Sequence, residues 1–214
     1  MKIKIIIGIA VLAFFFSSCV TDTVSQFEIF TVQLPIFFKS EHKDRVSPDT
    51  SVDFTNLYKY DEYRNNKDKI DAAEVFQINY RLDSLVMENG KVFDPKTDDL
   101  EFEYIRFTLK FAKPKPGRSE YSTDSTDFEP DPTSPLYILG EFPNVKVQEY
   151  MKTANHIIEV PEKNAATISE TLKKTPYFYI YTEYSKIKGQ TGPTVTFPFI
   201  RAKYDVVIRL KVKL

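Results

Sequence analysis

Tyr177, Tyr179 and Tyr181 alternate with Phe178 and Ile180, so in an extended chain the three phenols share one face, with Tyr184 just beyond. Rigid aromatics with a polar tip are what a sugar or peptide groove uses, which makes this strand the first candidate ligand surface. The same parity would equally serve packing in a sandwich or under a loop, and the chain has no Trp, the strongest stacking residue. Asp124, Asp127, Glu129 and Asp131 form the second candidate. Hard oxygen ligands so close in sequence can hold Ca²⁺ weakly, but the glycine of an EF-hand loop is missing and a solvated acidic loop has the same composition. His42 and His156 lie on separate segments, outside any metal-ligand spacing, and read as isolated surface or loop histidines. No G-x-S-x-G elbow, glycine-rich phosphate loop or His-Glu-x-x-His occurs. The 30 acidic residues offer carboxylate pairs for glycoside hydrolysis, yet nothing marks one pair over another. No catalytic residue, cofactor or metal is assigned on this basis.

The remaining reactive side chain is Cys19, the only cysteine. Lys2 and Lys4 precede an unbroken apolar run from Ile5 to Phe16, and Ser17 and Ser18 lead into the cysteine. A run of about 12 residues is too short to cross a hydrocarbon core of about 30 Å, so the segment reads as an export signal. Phe16-Ser17-Ser18-Cys19 resembles the lipobox of bacterial lipoproteins, with Phe16 standing where that family usually has a leucine-like residue. The resemblance implies cleavage before Cys19, a diacylglycerol thioether on its sulfur and three acyl chains on the residue in all. Two or more acyl chains give stable membrane anchoring. It further implies the outer membrane as the address, because Val20 rather than Asp follows the cysteine.

Removing residues 1–18 takes Lys2 and Lys4 and no acid, which moves the formal charge from −1 to −3. So weak a negative balance argues against nucleic acid as a partner. With Cys19 lipidated, no thiol is left for a disulfide or thiolate metal site, and stability must come from packing, for which 18 Phe and 13 Tyr supply the means. The expected partners are the membrane, through the lipid on Cys19, and an envelope protein or a glycan. The function expected is that of an anchored, non-enzymatic binding or scaffolding module. A glycan-binding lipoprotein using the tyrosine face is the first alternative and an envelope hydrolase the second.

Three segments are expected: a signal at 1–18, a lipidated tether at 19–26, and one domain at 27–214. The seven residues 20–26 reach at most about 25 Å, which holds the domain near the membrane. Period-2 alternation marks strands along Phe30 to Phe38, Phe76 to Leu82, Ile105 to Phe111, Leu136 to Phe142, Tyr177 onward, and Tyr204 to Leu214. Pro35 places the first of these at an edge or gives it a bulge. Phe102 and Tyr104, on the wrong parity for their strand, predict a bulge near Tyr104. Residues 39–51 read as loop, 58–69 as a short surface helix, Asn89-Gly90 as a turn, and 144–150 with 156–160 as a strand pair. Residues 113–135, rich in Pro, Ser, Thr and acids, read as a mobile loop. Pro161, Ala165, Ile168, Leu172 and Pro176 delimit one short helix near 162–174. The pattern predicts an all-β, antiparallel immunoglobulin-like sandwich of about seven to nine strands. It resembles Bacteroidota-type envelope lipoproteins with such sandwiches.

Overall fold

The computed structural model describes residues 29–42, 49–87, 89–152, 156–189 and 198–214. The signal segment, Cys19 and the tether lie outside them.

Among the described residues nine strands form: β1 (Ile29–His42), β2 (Asp49–Asn56), β3 (Ile70–Val86), β4 (Glu101–Pro114), β5 (Phe128–Pro130), β6 (Tyr137–Lys146), β7 (His156–Glu159), β8 (Tyr177–Tyr184) and β9 (Phe199–Lys213). Three helices interrupt them: α1 (Asp61–Arg64), α2 (Val147–Lys152) and α3 (Glu162–Lys174). All strand pairings are antiparallel and build two sheets. Sheet A has the order β1-β9-β3-β7; sheet B runs β2-β8-β4-β5, with β6 also on β4. The fold is an all-β sandwich.

The inward faces follow from the sequence pattern. Leu34, Ile36 and Phe38 of β1 meet Ile105, Phe107 and Leu109 of β4 in one continuous core that takes in Val206, Ile208 and Leu210 of β9. The most regular strand, β9, is central, between β1 and β3. Its last residue, expected inward, is an exception: Leu214 is exposed because the ladder ends at Lys213. As Pro35 permits, β1 is an edge strand. Gly90 takes a positive φ in the expected turn.

β3 departs from simple alternation. Its register against β9 shifts between Ile70 and Ala72, between Val75 and Gln77, and between Leu82 and Ser84. Each shift moves the inward parity, so the buried set runs Ala73, Val75, then Ile78, Tyr80, Leu82, then Leu85. Phe76, expected in the core, is therefore on the outer face, where the Arg209 guanidinium sits 3.6 Å from its ring centre. The bulge expected near Tyr104 is not there: the register against β6 runs in step from Phe102 to Phe107 and shifts between Phe107 and Thr108. The Tyr104 amide donates to the Ser185 hydroxyl at 2.7 Å, between the rungs Ile105–Tyr184 and Phe102–Ile187.

Other expectations are corrected. β1 runs to His42 and β2 starts at Asp49, shortening the loop expected at 39–51. Residues 58–69 form two 3-10 turns around α1, and Tyr63 is buried rather than at the surface. Residues 144–150 are not paired with 156–160. They finish β6 and enter α2, while β7 pairs β3. α3 falls where Pro161 and Pro176 place it, with Pro161 as the residue before the first turn; Ile168 and Leu172 are buried, and the Ala73 amide donates to the Ser169 hydroxyl.

Candidate functional site

β8 lies between β2 and β4, so both of its hydrogen-bonding edges are paired. Phe178, Ile180, Thr182 and Tyr184 point into the sandwich. Tyr184, first grouped with the ligand face, is fully buried on the opposite side. Its hydroxyl lies 2.7 Å from that of Tyr80. Tyr177, Tyr179 and Tyr181 do share the outer face, but Tyr177 and Tyr179 are each only 9% exposed. Phe54, opposite Tyr179 in the register, packs at 5.1 Å between ring centres, and Phe128 of β5 lies 4.8 Å from Phe54 and 5.1 Å from Tyr177. Burial raises the Tyr177, Tyr179 and Tyr181 phenols above their ordinary range. Only Tyr181 is half-open to solvent.

What covers these tyrosines is the stretch expected to be a mobile loop. Residues 113–135 include a 3-10 turn (Ser125–Asp127) and β5, and they bury Phe128. Asn56 fixes the stretch by donating its amide to the Glu120 and Ser122 carbonyls at 2.7 and 2.8 Å. Tyr121 rests against Tyr58 at 4.7 Å, and Lys67 reaches both rings. Composition failed here because one Phe and one buried Asn anchor an otherwise polar run.

The acids of that segment have separate partners. Asp124 accepts from the Thr126 amide and hydroxyl, both at 2.8 Å, and Asp131 accepts from those of Thr133; these bonds hold both carboxyls below their usual range. Asp127 accepts from Ser122 at 2.6 Å and pairs with Arg118, while Glu129 pairs with Lys113. No three His, Cys, Asp or Glu side chains converge as metal ligands among the described residues.

His42 is not a surface residue. It is buried at the end of β1, with Nε2 2.9 Å from the Ser40 hydroxyl, which lies 2.6 Å from that of Ser51. The Tyr184 ring meets the imidazole edge-on at 4.2 Å. Beside them the Tyr204 hydroxyl donates to Asp53 at 2.6 Å. Burial raises the Asp53 carboxyl, opposed by that hydrogen bond and by His42. Ser40, His42, Asp53 and Tyr204 thus tie the two sheets together from inside. Sequence reasoning missed this seam, although Ser40 and His42 stand on the apolar parity of β1 and could have flagged it. His156 stacks on Tyr150 at 3.7 Å.

The outer face of sheet A is open around Phe37, Lys39 and Arg81, while Asp205 and Val207 on the same face of β9 are buried. Register places Phe37, Asp205, Asn79 and Ile157 in one transverse row, and Lys39, Lys203 and Arg81 in the next. A shallow groove of about 730 Å³ lies over Phe37, Lys39, Arg81, Lys203 and Asp205. Phe37 is 75% exposed. Asp205 accepts from Asn79 at 2.7 Å, and Lys203 pairs with Asp83 at 2.9 Å. This is the surface best placed to meet another molecule.

No family model and no curated protein matches the chain. Among solved structures it is similar to the KI polyomavirus VP1 pentamer (11% identity, 87% of this chain and 96% of that one, TM-score 0.35). It is also similar to the BFDV capsid protein decamer (8%, 85% and 98%, 0.33) and to turnip yellow mosaic virus (10%, 86% and 95%, 0.25). Among the described residues, no helix is long and apolar enough to cross a membrane.

Proposed function

We propose that the protein is a lipid-anchored module of the cell envelope, in the outer membrane, that holds another macromolecule and performs no chemistry of its own. The observation that carries this reading is the position of the single cysteine. Cys19 directly follows an apolar run and two small residues and stands ten residues before the first strand. Such a chain is tied down on a short leash with its domain against the membrane. The open groove on sheet A supports a binding role, whereas the tyrosine face, the residue basis of the first alternative, is covered by residues 113–135.

The test is Cys19→Ser. Wild-type protein should incorporate a labelled fatty acid and fractionate with outer membranes; the variant should accumulate as an unlabelled, uncut precursor. Crosslinking in intact cells should then capture a defined envelope partner with the wild type. Recovery of the same detergent-phase mature protein from the variant would overturn the anchor, and turnover of a glycan or peptide library would overturn the non-enzymatic assignment.

A further inference from the structure

The charges on the outer face of sheet A follow one rule with one exception. Glu41 faces Arg201 in the register and pairs with it at 3.1 Å; Glu74 faces Arg209 and also pairs with Lys211 at 2.8 Å; Lys213 pairs with Asp71 at 2.7 Å. Opposite charges are matched across the strands, as sheet stability favours. In one row the match fails: Lys39 is directly opposite Lys203, and Lys203 is directly opposite Arg81. Asp83 compensates Lys203 alone, and neither Lys39 nor Arg81 forms an ion pair among the described residues. Like charges placed opposite one another weaken a sheet, so a sequence selected for folding alone would avoid the arrangement. A local rule broken without compensation is characteristic of a functional position. The exposed Phe37 ring stands two residues before Lys39 on the same face, and the groove covers both.

We propose that the row Lys39, Lys203 and Arg81 binds an acidic polysaccharide strand, laid across sheet A with its anionic groups over the three cations and a sugar ring against Phe37. This rests on the reading of the protein as a binding module and names the partner of its open face. The shape of the positive strip selects the class. Three strands about 4.8 Å apart make it about 10 Å long, and it is one row deep. Glu41 borders it on one side and Asp205 on the other. A flat anionic membrane would set lipid phosphates against Glu41 as well as against the cations. A peptide recognised by a sheet pairs its backbone with an edge strand, whereas this strip runs across the strands. A narrow chain of anionic rings fits. Its carboxylates or sulfates meet the cations, and the C–H face of a ring meets Phe37.

The test uses the full chain in detergent and calorimetric titration with a galacturonate hexasaccharide, a heparin-derived hexasaccharide and neutral maltohexaose. At least one acidic oligosaccharide should bind and maltohexaose should not. Affinity should fall steeply as salt is raised from about 0.01 to about 0.15 M, where the screening length drops from about 30 to about 8 Å. Lys39→Glu and Arg81→Glu should each weaken binding about tenfold or more, while Lys96→Glu, the same charge change on a distant exposed turn, should leave it unchanged. Phe37→Ala should weaken binding without altering its salt dependence. Lys39→Glu should also raise the melting temperature, since it turns a like-charge pair into an opposite one. The proposal is overturned if neither acidic oligosaccharide binds, if Lys39→Glu and Arg81→Glu behave like Lys96→Glu, or if the row holds only phosphatidylglycerol vesicles or polyglutamate. In each case the lipid anchor and any crosslinked partner would still stand, because Cys19→Ser tests them separately.

Discussion

The Tyr80 hydroxyl of β3 and the Tyr184 hydroxyl of β8 lie 2.7 Å apart in the middle of the sandwich, both on fully buried side chains. Burial pushes the Tyr80 phenol well above its ordinary range, so this is a neutral hydrogen bond between sheets. Tyr184→Phe should cost about 1–3 kcal/mol in urea unfolding, because it strands a buried hydroxyl. Adding Tyr80→Phe should recover part of that loss, since both polar ends then leave together. Strictly additive losses would show that the two hydroxyls are not coupled.

The Asp53 carboxyl gives a pH prediction with a definite sign. Burial raises it above its unfolded value of 3.8, so the folded chain binds the proton more tightly than the unfolded one. Its contribution is therefore fully present below pH 3.8 and is lost as pH rises through the raised native value. Asp53→Asn keeps an acceptor for Tyr204 and cannot ionise. The melting difference, variant minus wild type, should grow from near zero at about pH 3.5 to a positive value at about pH 7. A constant difference across that range would mean that the carboxyl does not titrate within it.

Phe128→Ala should cost about 3–5 kcal/mol, as expected for emptying a buried aromatic site. Deleting residues 119–132 should cost at least as much, because it also removes the Glu120 and Ser122 carbonyls that Asn56 uses. Thermal melting checks both. An unchanged transition would restore the reading of this stretch as a solvated loop, whose length alone affects stability little.

Ile208→Asp should cost about 4 kcal/mol or more by burying an unpaired charge. Arg209→Asp, on the outer face, should still cost about 1 kcal/mol, since it removes the cation from the Phe76 ring and sets a second acid opposite Glu74. Chemical unfolding of the two variants measures the contrast. Equal losses would mean that the β9 register is wrong.

The sandwich was legible wherever alternation ran unbroken. In β9, β4 and the inner face of β1, apolar residues at period two give the inward side directly. It was not legible at Phe76, because a bulge shifts parity without leaving a mark in the composition around it. The tyrosine pattern was correctly read as one face, but a strand pattern does not say what lies above that face. Here the cover comes from Phe128, about fifty residues away in sequence. The row Lys39, Lys203 and Arg81 could not be seen at all, since it exists only once three distant strands are in register. The cut proposed before Cys19 rests on local sequence alone and involves no fold.

β1 starts at Ile29, on the side of the chain where we propose the lipid anchor, and carries Phe37 and Lys39 toward its far end. A pull between the proposed anchor and a molecule held jointly by Lys39, Lys203 and Arg81 would enter along β1 and leave in part through β9 and β3. It would slide β1 against β9 lengthwise, loading the rungs from Ile29–Lys213 to His42–Ile200 together instead of peeling them one after another. The edge strand that looks most vulnerable to loss is thus oriented so that tension meets its whole ladder at once, as in a lap joint under shear.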